Sequence, residues 1–307
     1  MRRTIAGSRI LITGASQGIG RALAVDAALR GGRVLAVARS YSLLREVADQ
    51  VAEQGGIMEI LEADVTSPAD RERMVETAAR RFGGLDILIN NAGIGATGHF
   101  VDADPQRLYK IMEVNFLAVA ELIRQFLPVL RRGNRPAIVN ISSIVGKRGI
   151  PARSEYSASK FALQGFSEAL RGELSKDGID VLVVSPGLTR TNFPDNMLEQ
   201  KARLSLDNLR GMTPEKVAAA TLRAIERGRA ETCLTLRGKL LVLVNRLLPR
   251  FVDKMLALRV RKLYEDQRKH SSPEVSASAQ IQPLGGMAPE PFLRRAQGDF
   301  RAISSNS

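Results

Sequence analysis

The sequence predicts an α/β chain built on a doubly wound parallel sheet, and three observations carry that prediction. Short β-branched runs alternate with longer amphipathic stretches through the first two thirds of the 307 residues. The runs are apolar throughout rather than alternating, as strands covered on both faces are. A glycine-rich loop follows the first run and opens the first amphipathic stretch, at the end of the sheet where open α/β folds bind ligands.

RILIT (9–13), RVLAVA (33–38), a weaker IMEILEA (57–63), LDILIN (85–90), AIVNIS (137–142) and DVLVVS (180–185) read as buried strands. Helical patterns fall between them at 19–30, 41–54, 68–82, 104–132 and 154–176, and right-handed crossovers then wind the sheet doubly. TPEKVAAATLRAIERG (213–228) adds a helix and ETCLTL (231–236) a strand, completing a domain over 1–237. From 238 the composition changes. GKLLVLVNRLLPRFVDKMLALRVRKLY (238–264) is apolar and basic and reads, with the residues to 270, as an amphipathic helical extension that Pro249 breaks or begins. Phe251, Val252, Met255, Leu256, Val260 and Leu263 recur on one side of it, with Arg250, Lys254, Arg261 and Lys262 near that stripe. Two readings stand for the stripe: contact with a membrane surface or a partner, or packing on the chain's own domain. Residues 271–307, rich in Ser, Pro, Gly and Ala, read as a disordered tail.

Composition narrows the function classes. A hydrophobic content of 44 % supports a sizeable core. One cysteine, Cys233, allows no internal disulfide, and His99 and His270 stand apart from any ligand cluster, so no structural metal is expected. The N-terminal apolar run is interrupted at Arg9 and lacks a cleavage pattern, so no signal peptide is expected, and no window is apolar enough to span a bilayer. A cytoplasmic protein is expected, peripheral on a membrane if the extension docks there. The net charge of +13 raises the question of nucleic acid, but residues 223–269 alone carry 13 Lys/Arg against 5 Asp/Glu. With only 5 % aromatics there is no stacking platform, and nucleic-acid binding is not expected.

The chemistry sits in four short motifs. TGASQGIG (13–20) joins the first strand to the first helix: Gly14 permits a tight turn, Gly18 a close backbone approach to a pyrophosphate, and Gly20 helix against strand. NNAG (90–93) closes the fourth strand, and NISSIVG (140–146) the fifth. SEYSASKFAL (154–163) puts Tyr156 and Lys160 one helical turn apart on one face, so that both heads can reach a single point. A cation near a phenol draws its pKa from about 10 toward neutrality, where acid/base catalysis works best. Either Ser142 or Ser143 could present a hydroxyl at the strand end, and the two face opposite sides.

TGxxxGxG, NNAG, a serine thirteen residues before YxxxK, and a later Pro186-Gly187, in this order, resemble the compact single-domain branch of the short-chain dehydrogenase/reductase family over residues 7–236. The resemblance implies a Rossmann-type domain that moves hydride between a nicotinamide and a carbonyl or alcohol, in a homodimer or homotetramer. It implies Tyr156 as acid/base, Lys160 as its activator, Ser143 as the hydroxyl that orients the carbonyl, and Asn115 as the fourth member, holding a water that links Lys160 to solvent. Cofactor contacts are implied for Gly14, Ser16, Gln17, Gly18, Ile19, Gly20, Asp64, Val65, Asn91, Ala92, Gly93, Tyr156, Lys160, Pro186, Gly187 and Thr191. The second strand ends AVARS, with Ala38 where NAD-specific folds carry an acid and Arg39 next, which favours NADP(H). Ile94, Ile144, Val145, Ile150, Leu188 and Phe193 are expected around the nicotinamide, and Met197, Leu198, Leu204, Leu206 and Leu209 offer a lid, favouring a small hydrophobic carbonyl or alcohol as substrate. A cofactor-binding module without chemistry is the competing class.

Overall fold

The computed structural model describes residues 3–201 and 211–270, with the side chains of 262–270 excepted. The expected lid residues Leu204, Leu206 and Leu209, and the tail from 271, lie outside the described residues. Residues 1–261 form one compact unit and 262–307 a second.

Seven parallel strands pair in the order β3-β2-β1-β4-β5-β6-β7: β1 (Arg9–Thr13), β2 (Arg33–Ala38), β3 (Met58–Glu62), β4 (Ile87–Asn90), β5 (Ala137–Ile141), β6 (Asp180–Ser185) and β7 (Glu231–Cys233). The winding reverses between β1 and β4, which sets a crevice at their carboxyl ends. Side chains alternate across the sheet. Ile10, Ile12, Val34, Ala36, Ile87 and Ile89 face one layer, built by α1 (Gly18–Leu29), α2 (Tyr41–Glu53) and α7 (Pro214–Glu226). Leu11, Leu35, Leu88, Ile138 and Val181 face the other, built by α3 (Pro68–Phe82), α5 (Ala118–Leu130) and α6 (Ser154–Glu173). Both faces are thus covered, the reason every central strand reads as continuously apolar.

Two predicted elements differ. The stretch 104–132 is not one helix: α4 (Pro105–Met112) passes through a π turn at Glu113–Leu117 into α5. Such a turn inserts a residue into the helical repeat and often marks a site; here it carries Asn115. The last strand stops at Cys233, because Thr235 accepts a hydrogen bond from the Gly238 N–H at 3.1 Å and caps α8 (Leu236–Leu247). Pro249 then begins α9 (Pro249–His270).

The predicted apolar stripe of the extension is split in two. Val252 is fully buried and Leu256 and Val260 half-buried, whereas Phe251 and Met255 are exposed. No helix among the described residues is long and apolar enough to cross a membrane.

Candidate active site

The site begins where β1 ends. Gly14 has φ +65°, and a Cβ there would stand 2.9 Å from Ala92 Cα; a Cβ on Gly20 would meet the Gly14 carbonyl at 2.0 Å. Both glycines therefore let the loop, α1 and the β4 exit close on one another. Thr13 Oγ1 accepts the Asn91 and Ala92 N–H groups at 3.0 and 3.1 Å, and the Asn91 amide donates to the Thr13 carbonyl at 2.9 Å. No side chain caps the N-terminus of α1 at Gln17, so its first-turn N–H groups remain to face an anion.

A cleft of about 570 Å³ runs along the carboxyl ends of the strands. Gly14, Ser16, Gln17, Gly18, Ile19, Arg39, Asp64, Val65, Asn91, Ala92, Gly93, Pro186, Gly187 and Thr191 all line it, together with Ser143, Tyr156 and Lys160. Gly20 lies beneath it, in the packing just described. Arg39 is exposed at the end of β2 and Ala38 is buried beside it. Asp64 is held by its own turn, its Oδ1 accepting from the Thr66 N–H and hydroxyl at 2.9 and 2.8 Å. Ser40, Leu43 and Thr66 extend the same wall. Sequence reading passed over them because nothing in their local pattern distinguishes them from cap and turn residues.

At the other end α6 delivers Tyr156 and Lys160. The Tyr156 phenol and Ser143 face the same cleft, and Ser143 Oγ accepts the Val145 N–H at 3.2 Å. Ser142 is buried and turned toward the Lys160 backbone carbonyl, 3.5 Å away. Both serines line the cleft, and Ser143 is the one that draws the pKa of the phenol down. Lys160 is buried, with Nζ donating to the Ile141 carbonyl at 3.0 Å and standing 5.8 Å from the centre of the Tyr156 ring.

The electrostatics run opposite to the sequence expectation. Burial pushes the Tyr156 phenol up from its usual 10, against the Ser143 hydrogen bond and the nearby Arg153 guanidinium. Burial also lowers Lys160 to about 8. The lysine is spent on a carbonyl and lies over the ring rather than at the hydroxyl, so desolvation outweighs the expected attraction.

Asn115 is fully buried and does not line the cleft. Its Oδ1 accepts the Ile94 N–H and its Nδ2 donates to the Ile94 carbonyl, both at 2.9 Å, and Nδ2 also reaches Ser159 Oγ at 3.0 Å. The Asn115 side chain thus fastens the loop after NNAG to α6. Of the expected substrate-side residues, Ile94, Phe193 and Leu198 line the cleft, Phe193 lying 5.8 Å from Tyr156 between ring centres. Ile144 instead packs on Gly187 and Gly238.

One cluster had no signal in the sequence. Arg107 of α4 and Glu155, the residue before Tyr156, are each 4 % exposed and pair through Nε at 2.9 Å; Arg107 also pairs with Glu199. Glu199 belongs to a segment strapped across the mouth, with the Leu198 N–H donating to Gly95 at 2.9 Å and the Thr97 N–H to Glu199 at 2.8 Å. Burial disfavours charge on Glu155, and the Arg107 hydrogen bonds more than offset it, holding the carboxyl below its usual range. Among the described residues no group of His, Cys, Asp and Glu could hold a metal ion.

Comparison with known proteins agrees with this geometry. The family model for short chain dehydrogenase matches residues 8–202. The ketoacyl reductase HetN of Nostoc is 34 % identical over 260 residues, covering 82 % of this chain and 89 % of the relative. Dehydrogenase/reductase SDR family member 7B of Bos taurus is 32 % identical, covering 88 % and 86 %. The 3-ketodihydrosphingosine reductase of Bacteroides thetaiotaomicron is 39 % identical over 187 residues, covering 61 % of this chain and 66 % of the relative. Among solved structures, an alcohol dehydrogenase from the archaeon Thermococcus sibiricus complexed with 5-hydroxy-NADP superposes with a TM-score of 0.66 at 25 % identity, covering 74 % of this chain and 95 % of that one. The match over most of the chain, on a seven-stranded parallel sheet with the motifs gathered at one cleft, makes this protein an oxidoreductase of the short-chain dehydrogenase/reductase family.

Proposed function

We propose that the chain is an NADP(H)-dependent enzyme that interconverts a hydrophobic carbonyl compound and its alcohol. The observation that carries this reading is the meeting of Tyr156, Ser143 and Lys160 on one wall of a cleft whose far end presents Arg39, with Ala38 rather than an acid at the end of β2. The residues fit the cofactor: an uncapped helix N-terminus and a Gly14/Gly18 cradle for the pyrophosphate, Asp64 and Val65 for the adenine, Arg39 for a 2′-phosphate, and Thr191 near the nicotinamide amide. When bound, the cofactor supplies or accepts hydride at its nicotinamide ring.

The chain's own residues handle the proton. In the reductive direction Tyr156 starts protonated, as its raised pKa requires, and gives its phenolic proton to the substrate oxygen as the adjacent carbon receives hydride. Ser143 donates a hydrogen bond to that oxygen, where charge develops. Lys160 stabilises the tyrosinate that remains, and Asn115 holds the loop and helix in register. Ile94, Phe193 and Leu198 exclude water and suit an apolar substrate body. Two relatives are named as reductases of keto compounds, which favours a ketone. A cytoplasmic setting with access to a membrane face suits such a substrate.

The test is a carbonyl and alcohol panel followed by absorbance with NADPH and NADH. Tyr156→Phe is expected to lower kcat by about a hundredfold or more with NADPH binding nearly unchanged, because only the transferable proton is lost. Wild-type turnover in that variant would remove Tyr156 from the role, and no turnover of any compound despite NADPH binding would favour a module without chemistry. Ala38→Asp with Arg39→Leu is expected to shift preference toward NADH by about tenfold or more, since a carboxylate bonds the ribose hydroxyl and repels a 2′-phosphate. A wild-type preference for NADH would overturn the cofactor assignment.

A further inference from the structure

The extension carries two apolar faces, and among the described residues only one is used inside the molecule. The inner face is docked: a Cβ on Gly238 would fall 2.2 Å from Ile144 Cδ1, and Val252 is fully buried. Arg148, from the loop after Ser143, reaches Asn245 of α8 at 3.0 Å and Asp253 of α9 at 2.6 Å. The helices are therefore held to the domain by contacts that leave their outer side untouched.

That outer side is apolar. Leu240, Leu243 and Leu247 of α8 and Phe251, Met255 and Leu258 of α9 are each between 46 % and 68 % exposed. At helical spacing each set of three falls within an arc of about 60°. Scattered exposed leucines need no explanation, but an apolar stripe on each of two consecutive helices marks a surface that binds something.

Charge selects the occupant. Between residues 236 and 261 there are seven Lys/Arg and a single acidic residue, Asp253, which is turned to Arg148. Lys239 and Arg246 on α8, and Arg250 and Lys254 on α9, are exposed along the margin of the stripes. A second copy of this chain would oppose like charges across such a contact, at a net charge of +13 per chain. An anionic bilayer satisfies both features at once, taking the leucines among its acyl chains and the ammonium and guanidinium groups among its headgroups.

We infer that the outer face of α8 and α9 docks the enzyme on an anionic membrane surface. The inference rests on this face and not on the proposed reaction, so vesicle binding can be judged whether or not turnover is found.

The test uses full-length protein in flotation with vesicles of pure phosphatidylcholine or of phosphatidylcholine with about 30 % phosphatidylglycerol. Binding to the anionic vesicles is expected to exceed binding to the neutral ones by about tenfold or more, and to weaken steeply with added salt. Leu243→Asp with Phe251→Asp is expected to abolish binding while NADPH affinity in solution stays at the wild-type value. Arg246→Gln, Arg250→Gln and Lys254→Gln are expected to weaken it about fivefold per charge removed; all three positions are exposed, so this set carries the test alone should the double variant fail to fold. Absence of binding at low salt, equal binding to both vesicle types, or unchanged binding by the Gln set would overturn the inference. So would light scattering that finds a wild-type dimer and a monomeric double variant, since the face would then join two copies.

Discussion

The crevice at the carboxyl ends of the strands and the outer face of α8–α9 are both open to solvent, yet they are built by opposite rules. Around the crevice several buried polar side chains are committed: Thr13 to two N–H groups of the NNAG loop, Asn115 to both backbone groups of Ile94, Arg107 to two carboxylates. Buried polar groups cost heavily unless paired, so this region is determined by who bonds whom. On the outer face apolar side chains stand in water with no partner structure to specify, and the helices beneath are fixed from the other side. The difference teaches where each region tolerates change. Loss of one polar atom in the crevice leaves its partner stranded, whereas a substitution on the face removes nothing that folding needs.

The comparison breaks first, and by the largest amount, at Arg107. Arg107→Met leaves the Glu155 carboxylate buried without its cation, an expected loss of about 3–5 kcal/mol at pH 7 in urea unfolding. In the wild type, the low folded pKa of Glu155 makes its contribution present above the ordinary carboxylate range and lost as pH falls through the folded value. The gap between variant and wild type is therefore expected to narrow in acid, as Glu155 takes up a proton. A gap that stays constant down to the acid limit would mean that lost packing, not stranded charge, is the cause.

A smaller effect of opposite sign is expected at Lys160. Its folded pKa of about 8 lies below the usual 10.5, so at pH 7 folding carries the cost of a buried ammonium. Stability then rises with pH between those two values, where the unfolded chain holds a proton that the folded chain has released. Without cofactor, Lys160→Met is expected to raise stability at pH 7 by up to about 3 kcal/mol, less about 1 for the lost bond to the Ile141 carbonyl. The difference is expected to shrink as pH climbs past 8 toward 10.5. A variant less stable than wild type at pH 7 would show that Lys160 is held charged by a partner after all. On the outer face the effect is smallest. Leu243→Asp is expected to change the unfolding free energy by no more than about 0.5 kcal/mol, the range for exposed positions, and a loss above about 2 kcal/mol would place Leu243 in a contact within the fold.

The two regions also differ in how far the sequence exposes them. The strands and the site motifs were legible because each depends on neighbours in the chain: β-branched runs that need two covered faces, and the Tyr156/Lys160 spacing on one helical face. Strand alternation says only that Ser142 and Ser143 face opposite sides, and the thirteen-residue spacing to Tyr156 in the family resemblance is what selects Ser143. What stayed hidden depends on distance or on the third dimension. Arg107 meets Glu155 and Glu199 from 48 and 92 residues away. The π turn at Glu113–Leu117 leaves no mark in propensity, so 104–132 read as one helix. In α9 both Phe251 and Val252 fit an amphipathic pattern, and only the docking of the helix decides that Val252 is the inner one. The pKa of Tyr156 depends on how deeply the phenol is buried, which spacing does not report.

The chain departs after Leu188 and comes back at Met212, and these two ends are bonded to each other. The Arg190 N–H donates to the Met212 carbonyl and the Met212 N–H to the Leu188 carbonyl, each at 2.9 Å, tying the two ends together at the base. The cost of closing a chain whose ends are already pinned grows only slowly with its length. Between those bonds the described residues are fastened again to the cleft, Leu198 to Gly95, Glu199 and Lys201 to Thr97, and Glu199 to Arg107, with Thr191 and Phe193 in its lining. A graft cut at the two base bonds would therefore keep its closure but would also have to restore the grip on Gly95, Thr97 and Arg107.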